Sequence, residues 1–268
     1  MSPAALFDLS QVDDRTWLGA PDTIPLPQVY GGQLVGQSVA AASRSVEMPV
    51  HSVHTTFLRG GTVGEPVNYE VSALTRGRSR ATSQVDARQG ERLLCRSLVS
   101  AAASSAGLSH ARPAPDVAAP EDAVPLGVLA EADGGLGGFW EGFDALEVRV
   151  AGTAVWMRPT QPLPEDPAVH RAVLAYASDL LLLGSAGDVH GLPLGHERSL
   201  AEHWWGVSLD HTLWFATEVR ADDWLLFDHT TAMAHPARTL IRAAVTDRAG
   251  RPVAEVAQEA LIRRARSA

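Results

Sequence analysis

Between Asp166 and Ala186 the chain reads DPAVHRAVLAYASDLLLLGSA, with Ala, Val, Leu or Tyr at almost every position after the first turn. Asp166 is placed to cap a helix and Pro167 suits its first turn. A surface helix keeps one polar side, and this one has none, so the pattern predicts a helix that other structure surrounds. Asp179, read as part of that helix, must then be hydrogen-bonded or protonated. An unpaired buried polar group costs about 1–3 kcal/mol and an unpaired charge far more. That is the setting of a general base with a raised pKa, and also of an Asp that bonds a neighbouring backbone group.

The order of elements repeats. A small-residue helix from Gly31 to about Val46 precedes the strand-like runs HSVHTTFLRG, PVNYEVSALTRG, RATSQVDAR and ERLLCRSLVSA; the Asp166 helix precedes WWGVSLDHTLWFAT, DWLLFDHTTAMA, ARTLIRAAVTD and PVAEVAQEALI. Further strands are expected before the helices, near Thr16–Gly19 and in ALEVRVAG with AVWMRP. A helix apolar on all sides and followed by four strands is satisfied when a curved antiparallel sheet wraps it. The expected fold is therefore α+β, a double hotdog of two tandem units. Residues 1–103 form the first and 139–268 the second. Residues 104–138, rich in Ala, Pro, Gly, Ser and acids, read as a connector lying across a surface.

Strand alternation in VAEVAQEALI puts Ala254, Val256, Gln258, Ala260 and Ile262 on one face, with Gln258 its one polar group. A buried amide needs partners, whether in a site or as a core Gln bonded to backbone. Ser208 sits in the middle of another strand whose neighbours predict burial. On regular alternation Asp210 shares its face, about 6–7 Å away, and is the second-choice carboxylate; His211 points the other way. Gly31 and Gly32 start the first helix, where free amides and the helix dipole suit an anionic oxygen; the same pair also simply permits a tight helix start. Arg59, Arg76, Arg78 and Arg80 form a local basic group in a chain of net charge −9, suited to phosphates or to a solvated turn. GRSRA at 77–81 lies between strands, without the following helix of a nucleophile elbow.

The acidic balance argues against nucleic acid or an anionic membrane as partner. No apolar run of 18 residues or secretion signal is seen, so a cytoplasmic protein without a membrane span is expected. The single Cys95, in a buried-strand pattern, excludes an internal disulfide and reads as a small hydrophobe. The ten His residues show no metal-ligand spacing, so neither metal nor cofactor is expected.

The segments VYGGQLVGQSVAAA, VHSVHTTFLRGG, LAYASDLLLL, SLDHTLWF, WLLF and VAEVAQEALIR stand in the order and spacing of the type II acyl-CoA thioesterases, the TesB-like double-hotdog family, which the chain resembles over most of its length. The resemblance implies hydrolysis of an acyl-CoA thioester to a free acid and coenzyme A. It assigns Asp179 as the base that activates water, with Ser208 and Gln258 orienting that water or bonding the oxyanion. Arg59 and Arg78 are candidates for coenzyme A phosphates, and Gly31 and Gly32 for substrate contact. Trp204, Trp205, Trp214 and Phe57 are candidate pocket liners. A homodimer or higher assembly is expected. The rival readings are a hotdog enoyl-CoA hydratase, which would resemble a pattern with Asp and His on one catalytic segment, and a non-catalytic acyl-CoA-binding protein.

Overall fold

The computed structural model describes residues 3–22, 24, 26–134, 145–216 and 218–265. After a 3-10 turn at Pro3–Phe7, the first half runs β1 (Ser10–Gln11), β2 (Thr16–Gly19), α1 (Gly31–Ser43), β3 (Val50–Phe57), β4 (Val67–Arg76), β5 (Arg80–Gln89) and β6 (Arg92–Ala102). The stretch read as a connector carries β7 (Val124–Pro125) and α2 (Leu126–Ala132), and β7 adds a short edge strand to the second half. There follow β8 (Leu146–Ala151), β9 (Ala154–Pro159), α3 (Pro167–Ala177), a 3-10 turn at Gly184–His190, α4 (Glu197–His203), β10 (Trp204–Ser208), β11 (Asp210–Phe215), β12 (Leu225–His235), β13 (Arg238–Asp247) and β14 (Pro252–Arg264).

The strands among the described residues belong to one sheet, in the order β1-β2-β4-β5-β6-β3-β11-β14-β13-β12-β9-β8-β7, with β10 on β14 beside β11. The two halves join where β3 pairs antiparallel with β11, Val53 opposite Leu213 and Thr55 opposite His211. The continuous sheet wraps α1 and α3, so each helix finds apolar partners on every side, and the fold is a double hotdog. Val35, Val39, Ala41, Ala172, Leu174 and Ala175 are all at or near zero exposure.

The helices run antiparallel in contact. A Cβ added at Gly32 would lie 2.4 Å from the Tyr176 carbonyl oxygen, and one at Gly36 would lie 2.8 Å from that of Ala172. Two glycines one turn apart thus let α1 rest on the backbone of α3. Tyr30 Oη ties the pair by donating to the same Tyr176 carbonyl at 2.9 Å. This packing sets the start of α1 beside the end of α3.

The start of α3 follows the sequence reading: Asp166 accepts from Ala168 N at 2.9 Å, and Pro167 occupies the first turn. Its end does not. The helix stops at Ala177, with Ser178 as C-cap, and Asp179 lies in the turn beyond it. Ser178 Oγ bonds back to Ala175 O at 2.9 Å, and Leu181 takes a left-handed φ of 61°. Local bonding by Ser178 here outcompetes helix propagation through four leucines.

Candidate active site

Asp179 emerges from the end of α3 into the start of α1. Its side chain is 7% exposed. The Gly32 backbone N–H and the Gln258 side chain face it and favour its ionised form. Burial raises its carboxyl above the ordinary aspartate range, and the neighbouring His211, the Gly32 amide and Gln258 offset that only in part. Gly31 stands so close that an added Cβ would lie 2.7 Å from Asp179 Oδ2 and 3.1 Å from the Phe57 ring. The sequence reading left it open whether this glycine pair faced the second half. It does, and the Gly32 N–H faces the carboxylate.

Gln258 is fully buried on the inner face of β14 with Ala254, Val256 and Ala260. Its Nε2 donates to Ser208 Oγ at 2.9 Å. Its Oε1 therefore faces His211 Nδ1, at 2.6 Å, and requires a proton there. Nε2 lies 2.8 Å from Ser178 Oγ, whose one hydroxyl hydrogen is shared between this nitrogen and Ala175 O. His211 is wholly buried, and its Nδ1 is 3.8 Å from Asp179 Oδ1. The cluster is thus Asp179, Gln258, Ser208 and His211, with Ser178 behind the imidazole.

Regular alternation had turned His211 outward and grouped Asp210 with Ser208. The strand is not regular there. Ser208 lies opposite Ala260 while Thr212 lies opposite Ala257, so four steps along one strand match three along the other. The extra residue is a bulge at Leu209–Asp210. It sends Ser208 and His211 to the same inner face, and Asp210 instead accepts from the Glu259 backbone N–H at 2.7 Å. Asp210 is therefore withdrawn as second-choice base. No residue type in the sequence marks this bulge.

Of the basic group, only Arg59 is near. It is exposed two residues beyond Phe57, with Nη1 3.4 Å from Leu93 O. The hairpin carrying Arg76, Arg78 and Arg80 abuts the other end of β3: Phe57 faces Cys95, whereas Val50 faces Ala101, which faces Ala81. Seven residues of strand separate the two ends by roughly 23 Å, so Arg78 does not meet Asp179 within one chain. Trp205 and Trp214 are each 44% exposed, Trp205 under Arg263 and Trp214 against His54, so these two are not pocket liners. Cys95 is buried, and burial pushes its thiol up to about 12, which keeps it unreactive. Among the described residues no helix is long and apolar enough to cross a membrane.

A double hotdog with one buried carboxylate at the meeting of its two helices is the class that fold and cluster define. Comparison with known proteins narrows it. The sequence profile of the acyl-CoA thioesterase N-terminal domain matches residues 21–106, and that of the C-terminal domain matches 108–262. The crystal structure of an acyl-CoA thioesterase II, TesB2, from Mycobacterium marinum superposes with a TM-score of 0.83 at 31% identity, covering 98% of this chain and 99% of that one. Acyl-coenzyme A thioesterase 8 of Homo sapiens is 28% identical over 96% of this chain and 88% of its own length. Acyl-CoA thioesterase 2 of Haemophilus influenzae is 28% identical over 96% of each. The chain belongs to the type II acyl-CoA thioesterase family.

Proposed function

We propose that the chain hydrolyses acyl-CoA thioesters, with Asp179 as the base that activates water. The carrying observation is a carboxylate that is buried yet held by the Gly32 amide and Gln258. Water attacks the thioester carbonyl carbon and gives its proton to Asp179; collapse of the tetrahedral oxyanion expels the coenzyme A sulfur, which takes a proton back. No bond to the enzyme forms.

The Gln258 amide donates to Ser208 Oγ and faces Asp179, so the Ser208 hydroxyl hydrogen remains for water or oxyanion. Gly31 is the donor left at the start of α1, where the helix dipole favours developing negative charge. Arg59, at the same end of the sheet, is the candidate for a coenzyme A phosphate. The hydratase reading is disfavoured because both ring nitrogens of His211 are engaged, by Gln258 and Ser178, and neither is offered to a substrate. The units are taken as 1–103 and 139–268 with residues 104–138 between them, in a cytoplasmic homo-oligomer.

The test is Asp179→Asn, which keeps volume and removes the base. Coenzyme A release from acyl-CoA is expected to fall about 10²–10⁴-fold, the scale of general base catalysis, with an unchanged circular dichroism spectrum. Activity within a few-fold of wild type refutes the assignment.

A further inference from the structure

At the end of β3 away from Asp179, the β4–β5 hairpin, β3 and β6 line a groove of about 640 Å³. Arg76 and Arg80 come to it from the two strands of the hairpin, and His51 from a bulge where Val50 and Ser52 face consecutive residues of β6. Thr82 and Ser100, opposite each other on β5 and β6 with hydroxyl oxygens 3.4 Å apart, and Ser79 in the turn add three hydroxyls. The frame is ordered. The Gly77 N–H donates to Arg80 O at 2.8 Å and the Ala103 N–H to Ser79 O at 3.1 Å. Arg76 Nη2 donates to Ser45 O at 3.0 Å, which fixes the guanidinium and leaves its other N–H donors open. Elsewhere the arginines are spoken for: Arg96, Arg149, Arg158 and Arg220 each hold a carboxylate. Neither Arg76 nor Arg80 is in an ion pair among the described residues. The groove's own lining holds no carboxylate.

We propose that this groove binds a nucleotide by its phosphates, at a site separate from Asp179 and independent of the thioesterase reading. Two unpaired guanidiniums beside three hydroxyl donors match the oxygens of a phosphate or diphosphate, which need charge and several hydrogen bonds together. In a chain of net charge −9 such a pocket of opposite sign is local, so the ligand is held by these side chains and not drawn in by the field of the whole protein. One phosphate fills a small part of the groove, whose volume of about 640 Å³ is that of a site for a whole small molecule. The exposed His51 ring offers the face on which a base stacks. By the rise of β3, His51 is roughly 20 Å from the Phe57 end, so one nucleotide does not reach both this groove and Asp179.

The experiment is isothermal titration calorimetry of the full chain with ADP, adenosine and inorganic phosphate, for wild type, Arg76→Ala, Arg80→Ala, the double variant and Arg59→Ala, with a thermal melt of each. Wild type is expected to bind ADP, to bind inorganic phosphate about tenfold or more weakly, and not to bind adenosine. Each single substitution in the groove should weaken ADP about tenfold, the lower end of the scale for a hydrogen bond to a charged partner, and the double variant should bind none. Arg59→Ala, at the other end of β3, should bind ADP as wild type does. If Arg76→Ala melts early because Ser45 O loses its donor, Arg80→Ala decides alone. ADP binding that survives in the folded double variant, or that is lost with Arg59→Ala, places the nucleotide elsewhere and overturns the proposal. Absence of ADP binding to wild type overturns it too, and phosphate bound as tightly as ADP overturns the assignment to a nucleotide.

Discussion

Replacing Gly31 and Gly32 one at a time with Ala separates the site from the packing that builds it. At Gly31 the new Cβ would lie 2.7 Å from Asp179 Oδ2, about 0.7 Å inside the 3.4 Å at which ordinary contact begins. The carboxylate must yield, because the other contact, Phe57, closes the end of β3. A displacement of that size carries it out of line with the Gly32 amide, Gln258 and the attacking water. A misplacement of 1 Å costs about 10²-fold, so kcat should fall by about 10–10²-fold. Stability should barely change, since the strain is offset by the better helix propensity of Ala, at most about 1 kcal/mol. At Gly32 the new Cβ would lie 2.4 Å from a backbone oxygen, Tyr176 O, which has no rotamer to change. There α1 and α3 must move apart. Overpacking of this kind costs about 1–3 kcal/mol, which at about 2–4 °C per kcal/mol lowers Tm by about 2–12 °C. Coenzyme A release with a chromogenic thiol reagent gives the first quantity and a thermal melt the second. A Gly31→Ala enzyme with kcat within threefold of wild type and unchanged Tm would show that the chemistry does not occur at Asp179.

Because the Asp179 carboxyl is raised and must be ionised to accept a proton, kcat should fall on acidification with a midpoint above the ordinary aspartate range; a rate flat down to pH 4 in an enzyme that stays folded contradicts this. His211→Leu strands Gln258 Oε1 and frees the amide to turn, so kcat should fall about 10-fold or more, by the cost of an orphaned buried acceptor; His211→Asn, which keeps a donor near the Nδ1 position, should recover part of it without change in KM. His229 is buried with no partner for either ring nitrogen among the described residues, and burial pushes its pKa from 6.5 down to about 4. Between those values the unfolded chain takes a proton that the folded chain refuses, so stability falls as pH drops from 6.5 to 4, by about 3 kcal/mol at the low end. Unfolding curves of His229→Leu should lose that part of the slope, and an unchanged slope assigns it to other groups.

The sequence readings that held were those in which one polar residue interrupts an apolar pattern. Gln258 on the inner face of β14 and the core position of α3 follow from periodicity alone, because burial makes any exception expensive. The readings that failed depend on where a period breaks. Asp179 was taken as helical, yet α3 ends two residues earlier, since the start of α1 offers its carboxylate a better partner than another turn of helix. His211 was missed because one bulge residue reverses every later face assignment on its strand. Arg78 was grouped with the site by charge, and the strand register puts it at the other end of the sheet.

The same packing gives the helices of the two similar halves different surroundings for their polar residues. The polar residues of α1 are committed elsewhere: Gln37 bonds Leu6 O at 2.8 Å, Ala20 O at 2.9 Å and Tyr69 Oη at 2.7 Å, Gln33 donates to Ala20 O, and Ser38 bonds back to Leu34 O. They pin the N-terminal segment over the first helix. What α1 contributes to Asp179 is its backbone, the Gly32 amide that faces the carboxylate, and at Gly31 a gap where a side chain would be. The second half contributes the carboxylate, the amide, the hydroxyl and the imidazole. Because the antiparallel contact of α1 with α3 brings the start of one helix to the end of the other, a carboxylate at the end of α3 meets a positive helix start, whereas the opposite end of the pair joins Ser43 to Asp166, where the aspartate is already used as the cap of its own helix. The buried carboxylate at this end of the helix pair is therefore a consequence of which helix end carries the Asp, and in the proposed mechanism the repeat supplies the scaffold for a site that neither half contains alone.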